Sequence, residues 1–140
     1  MPELSPDELR RIYADTNTIA VVGASNDATK PGNHIPAYLQ SQGFRIVPIN
    51  PRGGEILGEP AYTSLREVDV PIDVVEVFRP SDETPDIARE AVAVGAKVLW
   101  LQTGISSDEA ARIAEEGGLK VVMNRCMGVT HGQLGLGPGP

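Results

Sequence analysis

The chain has 140 residues, 41% hydrophobic and 22% charged, which suits one domain with a real core and leaves little room for a second. Its formal net charge of −7 and pI near 4.7 argue against nucleic acid or an anionic membrane as a general partner, because neither meets a basic field. Any anion site must therefore be local. The one cysteine, Cys126, cannot close an internal disulfide, and no apolar run approaches the roughly 20 residues of a membrane-spanning helix. Met1-Pro2-Glu3-Leu4 lacks the charged-then-apolar opening of a secretory signal, so a cytoplasmic location is expected.

In chain order, Ser5-Pro6-Asp7-Glu8 offers a cap, a proline at the first helical position and a glutamate to close a capping box, with Leu9, Ile12 and Tyr13 as the apolar face that follows. The run 18–22 is apolar without alternation and ends at Gly23, the pattern of a strand covered on both faces. Gly23-Ala24-Ser25 leads through Lys30 to a helix expected over about 33–42, with Ile35, Tyr38 and Leu39 inward and Gly43 as its stop. A second strand follows over 44–50, where Pro48 suggests incomplete pairing on one side. The segment 56–62 can hold only a short or irregular third strand. Further strands are expected over 73–78, 97–101 and 119–123. Between them lie helices opened by Thr84-Pro85-Asp86, with Ile87, Ala91 and Val94 inward, and by a second capping box at Ser106-Ser107-Asp108-Glu109.

Strand starts near 73, 97 and 119 lie 24 and 22 residues apart, the length of a strand plus one helical crossover. The spacing predicts an α/β, Rossmann-like, doubly wound and mainly parallel sheet with helices on both faces, in the order 3-2-1-4-5 or its extension, with 18–23 central. Residues 1–128, including a helix within 1–15, form the expected domain. Residues 129–140 are rich enough in glycine and proline to predict a loosely held tail.

Ligands of such sheets collect beyond the carboxyl ends of the strands. Those ends bring Gly23-Ala24-Ser25, Asn50-Pro51-Arg52, Phe78-Arg79-Pro80, Leu101-Gln102-Thr103-Gly104 and Asn124-Arg125-Cys126 to one rim. A helix opening just past the first strand aims backbone N–H groups and the positive end of its dipole at that rim, so a phosphate is the natural guest. The nicotinamide fingerprint is absent, since Gly23 is followed by no glycine before Gly32, and Asn50-Pro51-Arg52 stands where an acidic residue would hold the ribose. A guanidinium there accepts a phosphate through two parallel hydrogen bonds, which points to a ligand with a phosphorylated ribose, either coenzyme A or NADP. Lys30 adds a second positive charge.

Val22-Gly23-Ala24-Ser25, Pro48-Ile49-Asn50-Pro51-Arg52, Ile56-Leu57-Gly58-Glu59, Val77-Phe78-Arg79-Pro80, Trp100-Leu101-Gln102-Thr103-Gly104 and Met123-Asn124-Arg125-Cys126, in that order, resemble the small coenzyme A-binding domain proteins. These are stand-alone relatives of the amino-terminal domain of the succinyl-CoA synthetase alpha subunit, and the resemblance runs from Thr18 to about Gly128. It implies that Gly23, Ala24, Ser25 and the residues up to Lys30 wrap the coenzyme's phosphates. It places Arg52, beside Asn50 and Pro51, where the synthetase uses a lysine at the nucleotide end. It further implies that the turns at Phe78, Arg79 and Pro80 and at Leu101, Gln102, Thr103 and Gly104 border adenine or pantetheine. Thr103 replaces the synthetase's glutamate, and the domain carrying its phosphorylated histidine has no counterpart here, so the ligase reaction is not implied.

No metal-ligand spacing or Ser-His-Asp order stands out, and no catalytic residue is assigned. Cys126 reads first as a small buried hydrophobe, Trp100 and Phe78 as core, His34 as a first-turn residue that packs or donates to the ligand, and His131 as part of the tail. The expected activity is binding of coenzyme A, free or acylated. The alternatives are an enzyme using NADP or acyl-CoA, and a regulatory module with a vestigial nucleotide pocket.

Overall fold

The computed structural model describes residues 3–139. A five-stranded parallel sheet runs in the order β2 (Arg45–Ile49), β1 (Thr18–Val22), β5 (Val74–Val77), β6 (Val98–Leu101), β7 (Lys120–Val122). The first strand is interior, second of the five and paired on both sides, as its unbroken apolar run predicts, although β5 takes the middle place because the third strand is reduced. The chain steps from β1 to β2 on one side and then returns past β1 to β5, so the strand order reverses between β1 and β5. Phe78 N–H donates to Val22 O across that junction at 2.9 Å.

The third strand is reduced to a small antiparallel pair, β3 (Glu55–Ile56) and β4 (Glu59–Pro60), and one parallel bridge from Tyr62 to Ile49 beside β2. That bridge explains Pro48. Its carbonyl accepts from Tyr62 N–H at 3.0 Å on the outer side, and the N–H and C=O of one strand residue point the same way. The donor that proline lacks would therefore face the nearly open edge, where its loss costs least.

Helices cover both faces. α3 (Thr84–Ala93) and α4 (Asp108–Glu116) present Ala88, Ala91, Ala110 and Ala114 to Ala20, Val75, Val77, Leu99 and Leu101. On the opposite face α1 (Pro6–Ala14), α2 (Pro31–Ser41) and α5 (Met127–Gln133) bury Leu9, Ile12, Tyr13, Leu39 and Met127 against Ile19, Val21, Val74 and Trp100. The capping box at Ser5 and Glu8 forms as expected, with both reciprocal bonds at 3.1 Å. At α4 the cap is instead Ser107, which accepts from Ala110 N–H, and no reciprocal glutamate bond is made. In α2 the inward residues are Gly32, Pro36 and Leu39, while Tyr38 is exposed. Trp100 is core, its indole N–H donating to Arg125 O at 2.7 Å.

The expected loose tail from residue 129 is corrected in its first part. α5 continues to Gln133 and buries Thr130 and His131. The imidazole stacks edge-on among Tyr13, Tyr38 and Phe44, and its Nδ1 shares a 2.8 Å hydrogen bond with the Tyr38 hydroxyl. Tyr13 hydroxyl donates to Met127 O at 2.6 Å. Tertiary anchoring of this kind outweighs the poor helix propensity of glycine.

Two carboxyl groups sit in the sheet with opposite fates. Asp73, at the amino end of β5, accepts from Asn17 and Thr18 N–H at 2.8 and 3.0 Å and lies 3.4 Å from Lys97 Nζ. Burial pushes its carboxyl up, but these donors outweigh it and hold the group below the usual range. Glu76 is fully buried between Val21 and Trp100 in register, with neither carboxyl oxygen hydrogen-bonded. Burial pushes it up to about 8, so at neutral pH it is mostly a neutral acid.

Candidate functional site

A cleft of about 960 Å³ opens over the carboxyl ends of β1, β2, β5 and β6, at the strand-order reversal. Its size lies at the upper end of the range of small-molecule clefts. The turn after β1 forms one wall. Gly23 takes φ +90°, and a Cβ added there would lie 3.1 Å from Arg79 Cδ and 3.2 Å from Phe78 O. Gly32, in the first turn of α2, is tighter still, because its Cβ would fall 2.5 Å from Gly23 O. Gly23 and Gly32 thus do together what clustered glycines do in a nicotinamide fingerprint, the turn and the close strand–helix approach, across a longer loop.

The backbone of this turn is largely occupied. Gly23 and Ala24 N–H both point to Ile49 O at 3.3 Å, Ser25 N–H donates to Gly32 O at 3.2 Å, and Asp27 N–H goes to Ser25 Oγ at 3.0 Å. Asn50, at the end of β2, donates from its side-chain amide to Ala24 O at 2.9 Å and accepts from Arg52 N–H at 2.9 Å. It therefore staples the β2 turn to the β1 turn. What the β1 turn offers a ligand is the Ser25 hydroxyl, the side chain of Lys30 and the positive end of α2, where no side chain caps, Pro31 has no N–H, Asn33 N–H donates to Lys30 O at 2.9 Å, and Gly32 N–H has no partner among the described residues.

The expected site residues divide. Gly23, Ala24, Ser25, Lys30, Asn50, Pro51, Phe78, Arg79, Gln102 and Thr103 all line the cleft. Arg52 is exposed beside the lining residue Pro51 and does not itself line it. Pro80 is exposed, its carbonyl accepting from Glu83 N–H. Leu101 is a core residue, and Gly104 lies beyond the rim, with its N–H on Asn124 Oδ1 at 2.6 Å. Sequence reasoning stopped Leu101 and Gly104 one residue to either side of the pair that faces the cleft.

Several lining residues were not foreseen. Thr63, Ser64 and Leu65 close the side left open by the reduced third strand, and Glu83, Ile87 and Glu90 form a stripe on the α3 side. Their spacing of four and three residues is a helical face and was legible in the sequence. His34, expected to pack or to donate to a ligand, and Cys126, expected at the rim but read first as a small hydrophobe, also border the cleft. Cys126 is the cap of α5, its sulfur accepting from Val129 N–H at 3.5 Å, and Gln102 Oε1 accepts the next N–H of that helix, Met127, at 2.9 Å.

Arg79 is the most constrained cation of the site. Its Nε and Nη2 donate to the two carboxyl oxygens of Glu83 at 3.0 and 2.8 Å, and the guanidinium holds the Glu83 carboxyl below the usual carboxylate range.

Comparison with known proteins gives the family. Residues 17–132 match the family described as CoA binding domain. The chain is 37% identical over 131 residues to the uncharacterized protein YneT of Bacillus subtilis, covering 94% of this chain and 97% of that one. It is 30% identical to the alpha subunit of an ADP-forming acetate–CoA ligase of Pyrococcus furiosus over 83% of this chain, but spans only 28% of that subunit. A solved structure from Thermus thermophilus superposes with a TM-score of 0.89 at 39% identity, over 94% of this chain and 99% of that one. The dinucleotide-forming acetyl-coenzyme A synthetase 1 of Ca. Korarchaeum cryptofilum superposes with a TM-score of 0.72 at 30% identity, again over 28% of its length. The chain belongs to the CoA-binding domain family.

Proposed function

We propose that the protein binds coenzyme A, free or acylated, in the cleft at the strand-order reversal, and that binding itself is its activity. The observation that carries this reading is the cleft, which joins an uncapped helix N-terminus, two cations and a long rim in a chain of this family. The α2 N-terminus, the Ser25 hydroxyl and Lys30 receive the pyrophosphate, which gains most from a positive dipole end. Arg52, at the mouth beside Pro51, reaches the ribose phosphate. Phe78 and the rim at Gln102 and Thr103 border adenine and pantetheine. Turnover is not proposed, because Asn50, Gln102 and Cys126 are engaged in holding backbone.

Thermal denaturation with coenzyme A, acetyl-CoA, NADP and NAD tests the reading. Coenzyme A or acetyl-CoA should raise the melting temperature by mass action, and NAD should not. A larger shift with NADP would replace coenzyme A by a nicotinamide cofactor. No shift with any of the four would indicate a vestigial pocket.

A further inference from the structure

We infer that Arg79 is a pyrophosphate-reading residue of the cleft and that Glu83 is the positioning residue that holds it ready. This rests on the coenzyme A reading and adds to it a pair of side chains with separate tasks.

Four observations converge. First, the turn that would cradle phosphates in a nicotinamide-type site has its leading amides engaged, Gly23 and Ala24 on Ile49 O and Ser25 on Gly32 O. An anion over this turn must be held by other groups. Second, Arg79 crosses that same turn, its Cδ lying 3.1 Å from where a Gly23 Cβ would stand. The positive φ of Gly23 and its missing side chain leave this space to the arginine stem. Third, Glu83 engages only one edge of the guanidinium, Nε and Nη2. A guanidinium carries five N–H donors in a rigid plane, so three remain, including the Nη1–Nη2 edge that matches two phosphate oxygens. Fourth, Glu83 stands on a fixed platform. The 3-10 turn Ser81–Glu83 is tied down by Thr84 hydroxyl to Ser81 O at 2.6 Å, Ser106 N–H to Ser81 Oγ at 3.1 Å and Glu83 N–H to Pro80 O at 2.9 Å.

Arg79 and Glu83 are about half exposed, at 48% and 45% of their side chains, so the pair adds little to folding. Its consequence is pre-organisation: an arginine already held in one orientation loses less freedom when a phosphate arrives. Lys30 and His34 border the cleft from α2, and Glu90 borders it from α3 two turns beyond Glu83. Glu83 neutralises one side of the guanidinium, so the free edge is the one that can accept an anion.

The test is calorimetric titration of coenzyme A, dephospho-coenzyme A and pantetheine into the wild type and R79A, R79K, E83A and E83Q. Coenzyme A and dephospho-coenzyme A both carry the pyrophosphate, and pantetheine carries no phosphate. R79A should weaken both nucleotides about tenfold to a hundredfold and leave pantetheine unchanged. R79K keeps a cation and much of the stem but not the fork, and should recover only a small part of the loss. E83A should weaken both nucleotides several-fold with an unchanged melting temperature, and E83Q, which keeps an acceptor for Nε, should fall between E83A and wild type. Tighter binding by E83A would show that Glu83 competes with the ligand and would overturn its positioning role. Unchanged nucleotide affinity in R79A would overturn the inference while leaving the coenzyme A reading intact. Failure of the wild type to bind coenzyme A at all would remove the proposed function, and this inference with it.

Discussion

Two turns at the same rim each carry an arginine, and they differ in how it is held. Asn50-Pro51-Arg52 follows β2, next to the nearly open edge of the sheet, and its arginine side chain is exposed and makes no hydrogen bond or ion pair among the described residues. Phe78-Arg79-Pro80 follows β5, an interior strand, and its arginine lies across Gly23 with one edge fixed by Glu83. The two carry the same formal charge. A charge that is already oriented binds with more of its intrinsic strength, whereas a mobile one must first give up about 0.5–1.5 kcal/mol of side-chain freedom. What separates the two arginines is therefore not their charge or their place after a strand but whether a neighbouring side chain fixes the guanidinium.

The contrast can be sharpened from the strand beneath. Glu76→Met fills the buried carboxyl position of β5 with an apolar chain of similar length and touches neither turn. In the unfolded chain Glu76 ionises near 4.5, whereas burial pushes the folded value up to about 8. Its stabilising share is therefore fully present below the unfolded value and is lost as pH rises toward the folded one. The stability advantage of the variant should widen between pH 5 and pH 8 by roughly 3 to 4 kcal/mol, as read by urea denaturation at each pH. An advantage independent of pH would show that Glu76 is not a neutral acid in the fold. Coenzyme A affinity should stay as it was.

Gly32→Ala should break the β1 turn on which Arg79 rests. Alanine is the better helix former, but its Cβ would stand 2.5 Å from Gly23 O, so the helix or the turn must move. A loss of about 1–3 kcal/mol in folding stability is expected, together with loss of coenzyme A binding. An equally stable variant that binds normally would mean that the close approach is not needed.

Arg52→Ala should have the smallest effect, at most about tenfold in coenzyme A affinity and none for dephospho-coenzyme A, which lacks the ribose phosphate. Comparable losses for both ligands would deny Arg52 that phosphate. If its loss also exceeded that of Arg79→Ala, the contrast between a paired and an unpaired arginine would fail.

Much of this architecture was legible in the sequence, because it follows from local pattern. The unbroken apolar run of β1, the crossover spacing, the Ser5–Glu8 capping box and the blemish at Pro48 each correspond to a feature of the fold. What was not legible depended on partners distant in the chain. The helix from Met127 to Gln133 exists because His131 and Met127 fit among Tyr13, Tyr38 and Phe44, more than 80 residues away. The glycine-loop reading met the same limit, since only a structure reveals that Ile49 O takes the Gly23 and Ala24 amides. Arg79 was legible as a rim residue, but its pairing with Glu83, four residues on, was not, because the turn between β5 and α3 has no periodicity that fixes which side chains meet.

Mapping backbone amide shifts of isotope-labelled protein during coenzyme A titration decides whether coenzyme A lies over the carboxyl ends of β1, β5 and β6. Saturable shifts should concentrate at Ser25, Lys30, Gly32, Phe78, Arg79, Thr103 and Cys126, while Asn17, Asp73 and Lys97, at the opposite end of the sheet, stay still. Shifts centred on Asn17, Asp73 and Lys97 would put the ligand at the wrong end of the sheet, and no saturable shift at all would mean that coenzyme A does not bind.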